Sequence, residues 1–203
     1  AITFGSIVHS ILQELYVSNE NDSQELTQKA VLSKEDALKR AEEIFEKESW
    51  KLPTERSRQD DKARGIKIIE NLYQVDNYIK PGIIAIERKI SGIKLGDFKN
   101  SDVGLTEFVQ IEINGKLDKI ELEGDILRVV DYKTGNSKKA QEKLLPPSEV
   151  NPLGGDYWRQ AVFYHLLLEN SDISTDGKKL VTRYVFIEDA EDERGFSETQ
   201  DFE

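Results

Sequence analysis

Two aspartates, Asp118 and Asp131, are placed where a folding chain would normally place hydrophobic residues. They lie in two short segments of alternating polar and apolar residues, 116–122 and 126–133, which Gly124-Asp125 separates. Gly-Asp is a favoured two-residue turn, so the two segments are predicted to form a β-hairpin. In that hairpin Asp118 lies opposite Asp131.

The apolar residues of the hairpin support this register. With a two-residue turn, Ile120 faces Val129, and all the paired side chains, the aspartates included, share one face. A three-residue turn would instead pair Ile120 with Arg128 and break the apolar match. The pattern therefore favours the register that brings the two aspartates together on an apolar face.

Directly opposed residues have Cβ atoms about 5 Å apart, and like charges there are destabilising. A hard divalent cation bound by the carboxylate oxygens would offset the repulsion between Asp118 and Asp131. Lys133, two residues beyond Asp131, lies on the same face and adds a positive charge. Such a cation polarises a phosphodiester and lowers the pKa of a bound water. Exposed strand-end acids are the structural alternative, but carboxylates on an apolar face rarely lack a partner.

Four other residues could contribute to this chemistry. His9 stands beside an apolar helical stripe, and Glu87, in an apolar strand, is a candidate for a further acidic ligand. Gln160 and Tyr164 are four residues apart and share one helix face. Each also has a structural interpretation, as a satisfied core histidine, an ordinary strand acid or part of an aromatic packing stripe.

The absence of cysteine restricts the chemistry further. It excludes disulfides, thiolate zinc sites and iron–sulfur clusters, so any metal must be bound through oxygen or imidazole. No apolar run approaches the roughly 18 residues of a membrane span, and no signal-peptide pattern opens the chain. These observations predict a cytoplasmic protein.

The formal net charge of −11 argues against a nucleic-acid partner, because phosphate binding depends on Lys and Arg. The charge is unevenly distributed, however. Residues 188–203 contain eight acids and one base, so this segment carries most of the excess. We expect it to be an acidic tail that is disordered or serves an interaction.

Periodicity predicts both helices and strands in a main domain over residues 1–187. Asn114-Gly115 is a strong turn signal, so the strands on either side of it and the hairpin should form an antiparallel meander. The region of about 17–80 reads as a helical insertion. Predicted helices cover 4–16, 33–48, 60–80 and 157–169, and predicted strands cover 83–90, 108–113, 116–122, 126–133 and 179–187.

Four motifs in this order resemble the RecB-like branch of the PD-(D/E)xK nuclease superfamily, over about residues 4–187. They are Gly5-x-x-x-His9, Gly115-Lys116-Leu117-Asp118, Val129-Val130-Asp131-Tyr132-Lys133-Thr134-Gly135 and Gln160-x-x-x-Tyr164. The superfamily's Pro-Asp pair is absent at Leu117-Asp118, as is common in this branch.

The resemblance implies an α/β (α+β) fold with a central mixed sheet flanked by helices, a restriction-endonuclease-like core. It also implies a site for Mg²⁺ or Mn²⁺, with Lys133 as the catalytic lysine and Gln160 with Tyr164 as the motif of this branch. The implied metal ligands are His9, Asp118, Asp131 and the backbone carbonyl of Tyr132.

The function that follows is a metal-dependent DNA nuclease or exonuclease that acts on single strands or strand ends. The resemblance also implies a helicase motor as partner, in the same chain or complex, for DNA repair and recombination. Two alternatives stay open on the residues alone. One is a non-catalytic DNA-binding scaffold that kept the fold, and the other is a metal-dependent hydrolase of another phosphate ester.

Overall fold

The computed structural model describes residues 4–17, 24–48, 50, 52, 54–99, 108–135, 137–190 and 192–203. In these ranges, seven strands form one sheet in chain order, β1 to β7. The helices are α1 (Phe4–Glu14), α2 (Lys34–Glu48), α3 (Glu55–Gln74), α4 (Ser137–Ala140) and α5 (Asp156–Glu169), with a 3₁₀ helix at Gln141–Leu144. The strands are β1 (Tyr16–Val17), β2 (Thr27–Val31), β3 (Gly82–Lys99), β4 (Phe108–Glu123), β5 (Ile126–Lys133), β6 (Lys179–Phe186) and β7 (Ser197–Glu198).

The sheet is mixed, as predicted. Its neighbouring strands are antiparallel except for β5 and β6, which are parallel and joined through α4 and α5. Parallel neighbours need a long crossover connection, and the helix α5 supplies it. No helix in the described ranges has the length and apolar character needed to cross a membrane.

Strand β5 lies in the centre of the fold and is buried on both faces. Val130 and Tyr132 pack with α1, α2 and α3, whereas Leu127 and Val129 pack with α5 on the opposite face. Successive side chains of a strand point to opposite faces, so this one strand contributes to both hydrophobic layers.

The hairpin register agrees with the prediction. Ile120 pairs with Val129 and Glu123 pairs with Ile126, which leaves Gly124 and Asp125 as the two-residue turn. Gly124 has a φ of 63°, in the left-handed region that glycine adopts without a steric penalty.

The predicted turn at Asn114-Gly115 is wrong, because β4 runs straight through it. The Asn114 side chain accepts a hydrogen bond from the backbone N–H of Gly92 on β3. A Cβ on Gly115 would lie 2.2 Å from Leu167 Cδ1, so glycine is needed here for the close approach of α5. The antiparallel meander is therefore β3, β4 and β5.

The helix predicted over 60–80 has shifted bounds. It begins earlier because Thr54 and Ser57 form a reciprocal capping box, and it ends earlier because Val75 is extended. Helix α2 has an N-terminal cap, since the Ser33 hydroxyl accepts a hydrogen bond from the Asp36 N–H.

The region 17–80 is not only helical, because it also contributes strand β2, which pairs with β3. Residues 18–23 of this region lie outside the described residues. Of the two expectations for the acidic tail, disorder or an interaction, disorder is wrong for residues 192–203. Phe196 is fully buried, β7 pairs with β6, and Asp201 bridges Arg128 and Arg183.

A buried ion network lies on β4 and β5. The Lys119 ammonium is 2.8 Å from Glu121 Oε2, and Arg128 donates to Glu121 Oε1 over 2.6 Å. Burial by itself would raise the pKa of the Glu121 carboxyl, but Lys119 and Arg128 outweigh it and lower that pKa to about 2. The folded state therefore stabilises the ionised form of Glu121 relative to the unfolded chain.

We predict that Glu121→Gln lowers the free energy of unfolding by about 3 kcal/mol at pH 7. A depressed folded-state pKa contributes stability above the unfolded pKa near 4.5, and this contribution is lost as the pH falls toward 2. Urea titrations from pH 7 to pH 2 should therefore show wild type and variant converging below pH 4.5. Glu46→Gln, which loses an exposed pair with Lys62 outside this network, is the control and should cost less than about 1 kcal/mol. A constant gap between wild type and Glu121→Gln at all pH values would contradict this assignment.

Candidate active site

Three acids stand in one row across three neighbouring strands. Lys119 pairs with Ile86 of β3 and with Val130 of β5, so the next position places Glu87, Asp118 and Asp131 side by side. Adjacent like charges are destabilising in a sheet. The row therefore needs positive charge, hydrogen-bond donors or a cation.

The regular alternation of side chains slips at this row. Leu117 and Ile120 of β4 both pack with α5, although an odd number of positions separates them. On β3, Ile86 packs with the α1 layer, whereas Ile90, four residues on, packs with α5. Both strands therefore change faces beside the acids.

The backbone of Glu87 shows why β3 changes faces. Glu87 has a φ of 54°, the left-handed region that non-glycine residues rarely adopt in a strand. Strict alternation would place it with Ala85, which packs with α5. Instead its carboxylate lies beside His9 of α1 and contacts the ammonium of Lys116. Backbone strain of this kind persists only where the surrounding structure imposes it.

Asp118 lies at the point where β4 and β5 separate. Its Oδ2 accepts a hydrogen bond from the Tyr132 backbone N–H over 3.1 Å, in place of a further ladder bond. It therefore faces the backbone of β5, and the expected regular opposition of Asp118 and Asp131 on one face is altered by the slip. The two carboxylates still interact, since Asp118 raises the pKa of Asp131.

His9 reaches this point from α1, whose apolar side is buried against the sheet. His9 Nε2 lies 3.0 Å from the Tyr132 carbonyl oxygen, and Nδ1 lies 3.4 Å from Asp118 Oδ2. When Nε2–H donates to the carbonyl, Nδ1 of the neutral ring turns its lone pair toward a carboxylate. Either a proton on Nδ1 or a cation between the two groups is then needed.

These donors suit a small divalent cation. Ligand atoms of His9, Glu87 and Asp118 all lie within 4.8 Å of one another. Ligands on opposite sides of an octahedral Mg²⁺ are about 4 Å apart, so small side-chain movements would close the set. The same three residues help to line a cavity of about 10 Å³, roughly enough for one water molecule or small ion.

A closed ring of hydrogen bonds adjoins the cluster on the α5 side. Lys133 contacts Asp131 Oδ1 at 2.7 Å and donates to Gln160 Oε1 over 2.9 Å. Gln160 Nε2 donates to the Tyr164 hydroxyl, which donates to Asp131 Oδ2, each over 2.6 Å. All four side chains are thereby fixed, and Gln160 and Tyr164 hold the acid and lysine in place.

The protonation equilibria reflect the crowding of negative charge. Burial raises the pKa of Asp131, Lys133 opposes the rise, and the Asp118 carboxylate adds to it. Burial disfavours the imidazolium of His9, but Asp118 and Asp131 outweigh this and raise its pKa. The raised pKa of His9 shows a local excess of negative charge, whereas burial is the main cause at Asp131.

Two aromatic rings complete the surroundings of Lys133. Its ammonium lies 4.8 Å from the ring centre of Tyr157 and 5.4 Å from that of Tyr184. From the sequence, neither tyrosine is assigned to the lysine. The parallel register of β6, in which Tyr184 pairs with Asp131, brings it here, and no local motif signals that pairing.

The structure thus brings every predicted site residue to one place. His9, Glu87 and Asp118 form the donor cluster, while Asp131, Lys133, Gln160 and Tyr164 form the ring beside it. The carboxylate of Asp131 is not part of the donor cluster, and its two oxygens contact Lys133 and Tyr164. The Tyr132 carbonyl is at the site, where it contacts His9.

Comparison with known families agrees with this geometry. A family model described as the PD-(D/E)XK nuclease superfamily matches residues 1–202. A comparison with curated proteins gave no match.

The strain at Glu87 can be tested by substitution in the presence of a chelator. Glu87→Asn and Glu87→Gln both remove the charge, but Asn tolerates the left-handed region better. We expect Glu87→Asn to be the more stable variant by about 1 kcal/mol in urea unfolding. Both variants should bind Mn²⁺ more weakly than wild type by calorimetry. Equal stability of the two variants would show that the backbone at Glu87 is not strained.

Proposed function

Because the chain belongs to the PD-(D/E)XK nuclease superfamily, we propose that it is a Mg²⁺- or Mn²⁺-dependent DNA nuclease. It would hydrolyse phosphodiester bonds. The observation that carries the proposal is the contact between two groups of side chains. The imidazole and carboxylate donors around Asp118 directly adjoin the ring that holds Lys133 against Asp131.

The donor set assigns the metal ligands of this proposal. His9, Asp118 and Glu87 would hold the cation. Asp131 and the Tyr132 carbonyl, the other two expected ligands, lie beside this set, bonded to Lys133 and to His9. A bound divalent cation supplies charge that polarises a phosphodiester oxygen and lowers the pKa of a coordinated water. The hydrogen bond from His9 Nε2 to Tyr132 would fix the ring with Nδ1 directed at Asp118.

Lys133 is the candidate for stabilising charge on the reacting phosphate. Of its three N–H donors, two are directed at Asp131 and Gln160, which leaves one for a phosphate oxygen or water. An ammonium fixed in this way needs little reorganisation when negative charge develops. Gln160 and Tyr164 would act as positioning residues, since each contacts Lys133 or Asp131.

We also propose that the protein belongs to the RecB-like branch and works with a helicase motor in DNA repair and recombination. The order of the four sequence motifs supports this. A motor would deliver the single strands or strand ends on which the nuclease acts.

Single-residue variants test the chemistry. Asp131→Asn and Lys133→Met should abolish Mn²⁺-dependent degradation of a labelled single-stranded oligonucleotide. The first removes the carboxylate that holds Lys133, and the second removes the ammonium itself. Lys179→Gln is the control, because it removes a surface lysine far from the site. Lys179 begins β6, whereas Phe186, which pairs with Lys133, ends it. Unchanged cleavage in both site variants would refute the site. Binding of DNA by the wild type without cleavage would instead indicate the non-catalytic scaffold.

Metal binding can be measured separately. Titration calorimetry with Mn²⁺ should detect binding to the wild type, and Asp118→Asn should weaken it strongly because a charged donor is lost. Asp125→Asn, in the exposed hairpin turn, is the matched control and should bind as the wild type does. Equal binding by Asp118→Asn and wild type would exclude the proposed ligand set.

The substrate preference needs a third comparison. The purified protein should degrade single-stranded DNA much faster than blunt duplex of the same sequence. Adding a helicase with ATP should allow the duplex to be degraded. Equal rates on both substrates without a motor would argue against a helicase-dependent role.

A further inference from the structure

We propose that Lys143 and Tyr157 form a second phosphate subsite next to Lys133, which binds a neighbouring phosphate of a single-stranded DNA substrate. This inference rests on the proposed function. It concerns a lysine outside the motifs and outside the hydrogen-bonded ring of the candidate active site.

The ammonium groups of two lysines lie near the Tyr157 ring. The Lys143 ammonium is 5.2 Å from the ring centre, and the Lys133 ammonium is 4.8 Å from it. The two nitrogens are thus separated by no more than about 10 Å, the distance over which charges still interact at 0.1 M salt. The ring is itself stacked on Tyr184, with centres 5.1 Å apart and planes inclined by 24°.

The two lysines differ in how their charge is compensated. Lys133 is paired with Asp131 and is largely buried. Lys143 is exposed, and in the part of the chain that the structure describes no carboxylate lies within ion-pair distance of it. An ammonium that is held near a site and lacks an acidic partner is available to a phosphate, to which Lys binds as a point charge.

The backbone fixes the position of Lys143. A Cβ on Gly155 would lie 2.2 Å from the Lys143 carbonyl oxygen, so the 3₁₀ helix touches the start of α5 directly. The Gly155 N–H also donates to the Leu145 carbonyl over 2.8 Å. Helix α5 carries Tyr157 and Gln160, so Lys143 is anchored to the same element that positions Lys133.

A chain of phosphates is the ligand that this arrangement fits. A single phosphate needs only Lys133 and the cation held by the donor cluster. A DNA strand also presents further phosphates on either side of the reacting one. The rest of the site is strongly acidic, so an isolated exposed cation beside it gives the strand a place where its charge is attracted. Lys143 therefore acts in binding and does not contact the reacting atoms.

The test measures binding of a labelled single-stranded oligonucleotide, with Ca²⁺ in place of Mn²⁺, over a range of salt concentrations. Lys143→Gln should raise Kd several-fold and reduce the slope of log Kd against log salt by about 0.7, the value for one phosphate contact on a single strand. Lys143→Arg should restore both, and Lys179→Gln should change neither. In Mn²⁺, Lys143→Gln should raise KM while kcat stays nearly unchanged.

Gly155→Ala separates position from charge, since it keeps Lys143 and displaces its backbone. It should weaken binding as Lys143→Gln does, while thermal unfolding shows that the protein is still folded.

Unchanged Kd and salt slope in Lys143→Gln would overturn the subsite, even if the wild type cleaves DNA. A wild type that binds no single-stranded DNA would also overturn it. Weaker binding by Lys143→Gln in a protein that cleaves nothing would support the subsite and refute the nuclease.

Discussion

The repulsion among three carboxylates at the centre of the sheet is the constraint on which this structure depends. Glu87, Asp118 and Asp131 occupy neighbouring positions on three strands, where a folding chain gains most from apolar side chains. Like charges at neighbouring positions of a sheet are destabilising, and burial raises the pKa of Asp131. Two nitrogen groups partly offset this repulsion. The imidazole of His9 on α1 contacts Asp118, and the ammonium of Lys133 contacts Asp131 on the α5 side. What remains is a local excess of negative charge suited to a divalent cation.

The two hydrophobic layers hold these donors in place. Because β5 is buried on both faces, its even and odd positions reach different helices. Tyr132 presents its backbone to Asp118 and His9, while Asp131 and Lys133 meet the side chains of α5. The site thus depends on correct packing of both layers, and a change in either would move half of its donors. Rigid support of this kind is what precise placement of reacting groups requires.

Strain and function coincide at Glu87. A left-handed glutamate in the middle of a strand costs free energy, and it interrupts the alternation that a stable sheet prefers. The gain is a third donor atom within reach of His9 and Asp118. The chain belongs to the PD-(D/E)XK nuclease superfamily, and the strained backbone at Glu87 brings together three groups that could hold a metal ion.

The sequence by itself determined the hairpin register, the helix of His9, the spacing of Gln160 and Tyr164, and hence the family. These features are local, since alternation, turn type and helical periodicity act over a few residues. Only the tertiary structure decided that β4 runs through Asn114-Gly115, because the reason for that glycine is Leu167 on α5. The slip at the acid row and the packing of Tyr184 on Lys133 likewise arise from pairing between distant strands. Long-range pairing is set by the total burial of the domain, which no short window of residues encodes.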